Sequence, residues 1–169
     1  SRIVLKCLYL ARVNRVDIYW TVNNLARMVS CWTKACDKRL HRLISYLHYN
    51  QDIAQVNWVG DVVEDCKLVL FVDASFAGEM KCSKSTTGAI LVLVGPNTFV
   101  TLSWICRKQG AVSHSSSEAE IIALEGSLRM EGLPALLLWE EIYSVFALGD
   151  QSRVRTGKPA EAPKTLNEY

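Results

Sequence analysis

The feature that most limits what this chain can fold into is a change of hydrophobic period near residue 67. Upstream, apolar residues recur every three or four positions, the spacing of a helix face. From there on, residues 67–73, 88–94 and 98–106 form three short, β-branched, apolar runs that read as strands. Gly95, Pro96 and Asn97 punctuate the last two as a hairpin. Gly78 and the polar run 81–87 separate the first strand from the second. Three strands in this order predict an antiparallel meander.

Helices flank the meander. Residues 17–29 read as one helix, ending at Ser30, a possible cap for the next. Over 32–48 the apolar positions Trp32, Cys36, Leu40, Leu43 and Leu47 lie on one face. Lys34, Lys38 and Arg42 form a separate stripe, which reads either as a solvated face or as a phosphate contact. After the strands, Ser117-x-x-Glu120 matches a capping box that opens a long apolar helix. Such a helix is expected to be covered on several sides, with Gly132 and Pro134 kinking or breaking it near its middle. Beyond Gly149 the polar residues 150–169 lack any apolar period and alone would be disordered. The expected organisation is a basic helical segment at 1–60, a strand-and-helix domain at 61–149 and a tail at 150–169. The fold class is α/β, more narrowly α+β.

Composition narrows the function classes. The 169 residues make about one domain, and 50% hydrophobic against 21% charged is enough for a packed core. No uncharged apolar run reaches the ~18 residues of a membrane span. A first residue of Ser rather than Met, with no leader pattern, reads as a processed, truncated or excerpted product. The net charge of +2 conceals an asymmetry. Residues 1–60 hold nine Lys/Arg and three Asp/Glu, net +6; residues 61–150 hold six and twelve, net −6; the last nineteen are net +2. A nucleic-acid grip beside a metal-binding centre would look like this, and so would two electrostatically matched packed segments. Six cysteines without a CxxC pair, and only three histidines, do not make a zinc site. The cysteines read as buried small hydrophobes in a reducing intracellular compartment, an organelle included.

Two carboxylates stand where chemistry is possible. Asp73 ends the first strand, and Glu120 lies in the first turn of the helix after the meander. Carboxylates so placed can share divalent ions for phosphodiester hydrolysis. On spacing alone, a strand-end turn residue and a capping-box glutamate explain them equally well.

The segments 71–95 and 103–124 resemble the ribonuclease H domain of copia-type LTR-retrotransposon polyproteins. The resemblance lies in Asp73-Ala74-Ser75, the Lys84-Ser85-Thr86-Thr87-Gly88 turn, Ser103-Trp104 to Gln109, and Ser115-Ser116-Ser117-Glu118-Ala119-Glu120. Residues 15–28 and 31–48 resemble the segment that joins reverse transcriptase to ribonuclease H there. This likeness implies a ribonuclease H-like fold, here truncated, with Asp73 and Glu120 as catalytic carboxylates binding Mg²⁺. It implies nucleic-acid contacts at Ser116 and Ser117, on a helix N-terminus suited to phosphate, and at Arg107, Lys108 and Gln109.

The departures bear on activity. Ser75 stands where many members carry an acidic or bulky residue, and Val16 replaces a proline. The family's third aspartate belongs on a strand after the long helix and its fourth beyond that. Asp150 is the only nearby candidate, and Ala-Leu-Gly before it is a poor buried strand. Two of four expected carboxylates are therefore legible. The expected function is a retroelement-derived, catalytically incomplete module that binds RNA or an RNA–DNA hybrid, or serves as a structural subunit of a ribonucleoprotein. Its other expected partners are protein chains that cover the open sheet edge and order the tail, and no membrane. The alternative is a Mg²⁺-dependent ribonuclease H completed by further residues.

Overall fold

A computed structural model describes residues 2–78 and 83–146. The 150–169 tail, Asp150 within it, lies outside the described residues. The chain divides into two compact units, Ser1–Val56 and Asn57–Tyr169.

The first unit is helical: α1 (Arg2–Val13), α2 (Tyr19–Arg27) and α3 (Lys34–Tyr49). One apolar cluster holds it together, with Val4, Cys7 and Ala11 of α1 against Ile18, Val22 and Leu25, and Cys36 and Leu43 of α3. The helix expected at 17–29 divides into a 3-10 turn at Val16–Ile18, α2, and a second 3-10 turn at Val29–Cys31. Ser30 lies in that second turn, so it does not cap α3; Thr33, in extended backbone, holds the cap position.

The turn from α1 into α2 is fastened by a buried cation. Arg15 is only 5% exposed. Its guanidinium donates to both carboxylate oxygens of Asp17, at 3.0 and 2.8 Å, and to the Asn50 carbonyl at 3.0 Å. The Tyr46 hydroxyl also donates to Asp17, at 2.9 Å, and the Tyr46 ring lies 5.7 Å from the guanidinium carbon. Hydrogen bonding from Arg15 holds the Asp17 carboxyl below its usual range.

The second unit shows the expected meander followed by a long helix. Strands β1 (Lys67–Ser75), β2 (Thr86–Gly95) and β3 (Thr98–Lys108) form an antiparallel sheet in the order β1-β2-β3. Register runs from Lys67↔Val94 to Ser75↔Thr86, and from Gly95↔Thr98 to Thr86↔Lys108, with a bulge at Leu91/Val92. The two-residue Pro96–Asn97 turn is clamped from outside. Asp61 accepts from the Asn97 backbone at 2.6 Å and its side chain at 3.0 Å, while Thr98 Oγ1 accepts from the backbone N–H of Gly60 and Asp61. A Cβ on Gly60 would come within 2.7 Å of the Asn97 carbonyl, so this close approach requires glycine.

Helix α4 (Ser116–Ser127) lies over β1 and β2 and buries Ala119, Ala123 and Ser127, a stripe small enough for close approach. A π-helical turn at Leu128–Gly132 then leads into α5 (Leu133–Phe146). The predicted interruption is thus a widened turn within a continuing helix. The expected cover on α5 is partial among the described residues, for Leu137 and Leu138 stay exposed. Trp58 exchanges two backbone hydrogen bonds with Phe99, occupying part of the outer edge of β3. The outer edge of β1 pairs with no described strand.

Candidate functional site

The two carboxylates of the sequence reading line one cleft. Asp73 stands near the end of β1, paired across the sheet with Gly88. Helix periodicity puts Ser117, Glu120, Ile121 and Leu124 on one face of α4. These four, with Asp73, Leu70 and Val72, line an open cleft of about 660 Å³. Its apolar walls carry no motif: Leu70 and Val72 come from β1, and only Ile121 and Leu124 share the 3-and-4 spacing from Ser117.

Glu120 is available to this cleft because the helix begins two residues earlier than the motif suggested. Ser115 is the cap: its hydroxyl accepts from the Glu118 N–H at 3.1 Å, and the Glu118 carboxylate accepts from the His114 N–H at 2.6 Å. The capping box is therefore Ser115-x-x-Glu118, and the Ser117/Glu120 assignment is corrected. Ser116 and Ser117 occupy the first two helical positions, both exposed.

The basic strand end divides. Arg107 is exposed, with a guanidinium nitrogen 3.0 Å from Met130 Sδ, and Lys108 is half-buried. Gln109 turns inward and is 5% exposed. Its amide nitrogen donates to Ala119 O at 2.7 Å and Thr87 Oγ1 at 3.2 Å, and its oxygen accepts from Ser113 at 3.0 Å. Those bonds tie the end of β3 to α4 and leave the side chain no reach to a nucleic acid. Lys34, Lys38 and Arg42 belong to the other unit, all exposed along α3.

Mg²⁺ is commonly held by one or two carboxylates together with a ligand's phosphate. Asp73 and Glu120 are the two carboxylates that line the cleft. No group of three or more His, Cys, Asp or Glu side chains able to hold a metal exists among the described residues. Among the described residues the cleft offers two carboxylates, fewer than the four that the resemblance implies. Of the described cysteines, Cys7, Cys36 and Cys66 are buried, Cys106 is half-buried and Cys31 is exposed; none of these five is in a disulfide. No described helix is long and apolar enough to cross a membrane.

No family model matches the chain, and no solved structure matches it. It is 31% identical over 118 residues to the secreted RxLR effector protein 161 of Plasmopara viticola, spanning 69% of this chain and 78% of that protein.

Proposed function

From a chain that belongs to the same family as the secreted RxLR effector protein 161, we propose a ribonuclease H-like module that binds nucleic acid without hydrolysing it. The observation that carries this reading is the cleft: Asp73 and Glu120 line it with Ser117, and no third ligand joins them among the described residues. Such a pair can hold one Mg²⁺ against a phosphate but lacks the charge to hold two ions about a scissile bond. The exposed stripe Lys34, Lys38 and Arg42 supplies phosphate contacts in the other unit. The exposed Arg107 and the helix start at Ser116 and Ser117 suit the same ligand. The setting proposed for the module is a larger assembly such as a ribonucleoprotein, with a protein partner along the outer edge of β1. The relative is described as secreted, so a module that meets its target after secretion belongs to the same proposal.

The presence of Asp73 and Glu120 in one cleft also favours a second reading, a Mg²⁺-dependent ribonuclease H completed by residues from a longer chain or a partner. Hybrid cleavage separates the two. With Mg²⁺ and a labelled RNA–DNA hybrid, the chain is expected to bind but leave the RNA strand intact. Cleavage that disappears in Asp73→Asn and Glu120→Gln would overturn the non-hydrolytic reading. Binding is expected to weaken with salt, and replacing Lys34, Lys38 and Arg42 by Gln should flatten log K against log salt by about 2–3.

A further inference from the structure

Helix α1 carries a second cationic face in the Ser1–Val56 unit. Val4, Cys7 and Ala11 are buried in the core, and the opposite side presents Arg2, Leu5, Lys6, Tyr9, Arg12 and Val13, all exposed. Tyr9 is 72% exposed at the centre of this face. Positions three and four away are its helix neighbours. Lys6 and Arg12 therefore flank Tyr9 along one ridge, and Leu5 and Val13 along the other. Lys6 and Arg12 stand about 9 Å apart along the axis at 1.5 Å per residue. No Asp or Glu occurs in α1. The side chains of Arg2, Lys6 and Arg12 form no ion pair or hydrogen bond with a described residue.

We propose that this face of α1 binds single-stranded nucleic acid. Tyr9 stacks against a base, Leu5 and Val13 extend its apolar platform, and Lys6 and Arg12 take the flanking phosphates. Exposed cations without a partner among the described residues suit a polyanion, and an exposed aromatic between them suits one whose bases are unstacked. Duplex buries those base faces. A lipid surface is the poorer match, because an interfacial helix inserts a continuous apolar face. The Val4, Cys7 and Ala11 face of α1 is already committed to the core, and the exposed Ile3, Leu5, Leu10 and Val13 are interspersed with Arg2, Lys6 and Arg12. This inference rests on the nucleic-acid reading above and adds a site on a different helix, with the form of its ligand.

Fluorescence anisotropy of the whole chain with labelled oligouridine tests it, beside a hybrid duplex and vesicles with and without phosphatidylserine. Tyr9→Ala should weaken oligouridine binding about tenfold and Tyr9→Phe should restore it, stacking being the lost term. Lys6→Gln with Arg12→Gln should lower the salt slope by about 1.4. Tyr9 is a surface residue, and circular dichroism of each variant confirms that the helices persist. Oligouridine binding unchanged by the α1 substitutions but reduced by those at Lys34, Lys38 and Arg42 would overturn this inference and leave the nucleic-acid reading standing. Failure to bind either oligonucleotide would remove both. Binding to phosphatidylserine vesicles alone, lost in Tyr9→Ala, would assign the face to lipid and overturn it as well.

Discussion

Burial of the Arg15 guanidinium is tolerable because three acceptor atoms meet it, two on Asp17 and one on the Asn50 backbone. In the sequence Arg15 is one of nine cations in a basic stretch and reads as surface; the chain has to close through α3 before Asn50 and Tyr46 reach it. Removing it leaves the exposed Asp17 with the Tyr46 hydroxyl alone and frees the Asn50 carbonyl. Arg15→Ala should therefore destabilise the protein by about 2 kcal/mol, read from the urea midpoint. The pH dependence has a definite sign. Asp17 is held below its ordinary value, chiefly by hydrogen bonding from Arg15, whereas the unfolded chain titrates near ~3.9. Its contribution is fully present above that unfolded value and is lost as pH falls through the lower folded one. Thermal melts between about pH 2 and 7 should show a shallower acid limb in Asp17→Asn than in the parent chain. Parallel acid limbs would show that the pair does not carry this dependence.

At the scale of elements, the start of α4 shows what a local motif can and cannot settle. Serines at 115, 116 and 117 followed by glutamates at 118 and 120 offer two capping boxes, each satisfying the same pattern. Hydrogen bonding distinguishes them, for the Ser115 hydroxyl accepts from the Glu118 N–H and the Ser115 carbonyl already accepts from the Ala119 N–H. The helix therefore starts at Ser116, and Ser115 is the cap. Glu120 is then released from a structural duty and faces the cleft with Asp73. Ser115→Ala should lower stability by about 1 kcal/mol, the usual loss of an N-cap. Ser117→Ala should stay within about 0.5 kcal/mol, as for an exposed site without such a role. Equal losses, measured by denaturant titration, would return the cap to doubt. The strands were easier to read, because β-branched runs and Gly95-Pro96-Asn97 act locally. The Asp61 clamp on that turn was not legible, since it joins residues about 36 positions apart.

For the molecule as a whole, the opposed charges of residues 1–60 and 61–150 make magnesium the discriminating variable. A polyanion is attracted by the first stretch and repelled by the second, where Asp73 and Glu120 contribute to a net −6. Divalent cations ordinarily weaken nucleic-acid binding, because they compete with Lys and Arg for the phosphates. A carboxylate pair that holds Mg²⁺ against a phosphate turns that sign around at one site. At matched ionic strength, replacing part of the K⁺ with Mg²⁺ should therefore strengthen hybrid binding by the parent chain. In the double variant Asp73→Asn, Glu120→Gln the same replacement should weaken it. Without Mg²⁺ the order reverses, and the double variant should bind more tightly than the parent because two repelling charges are gone. The crossover matters more than either affinity, since a general loss of structure would lower binding under both conditions. If Mg²⁺ weakens both chains alike, the cleft does not contact phosphate through a metal. The basic helices would then account for the binding by themselves.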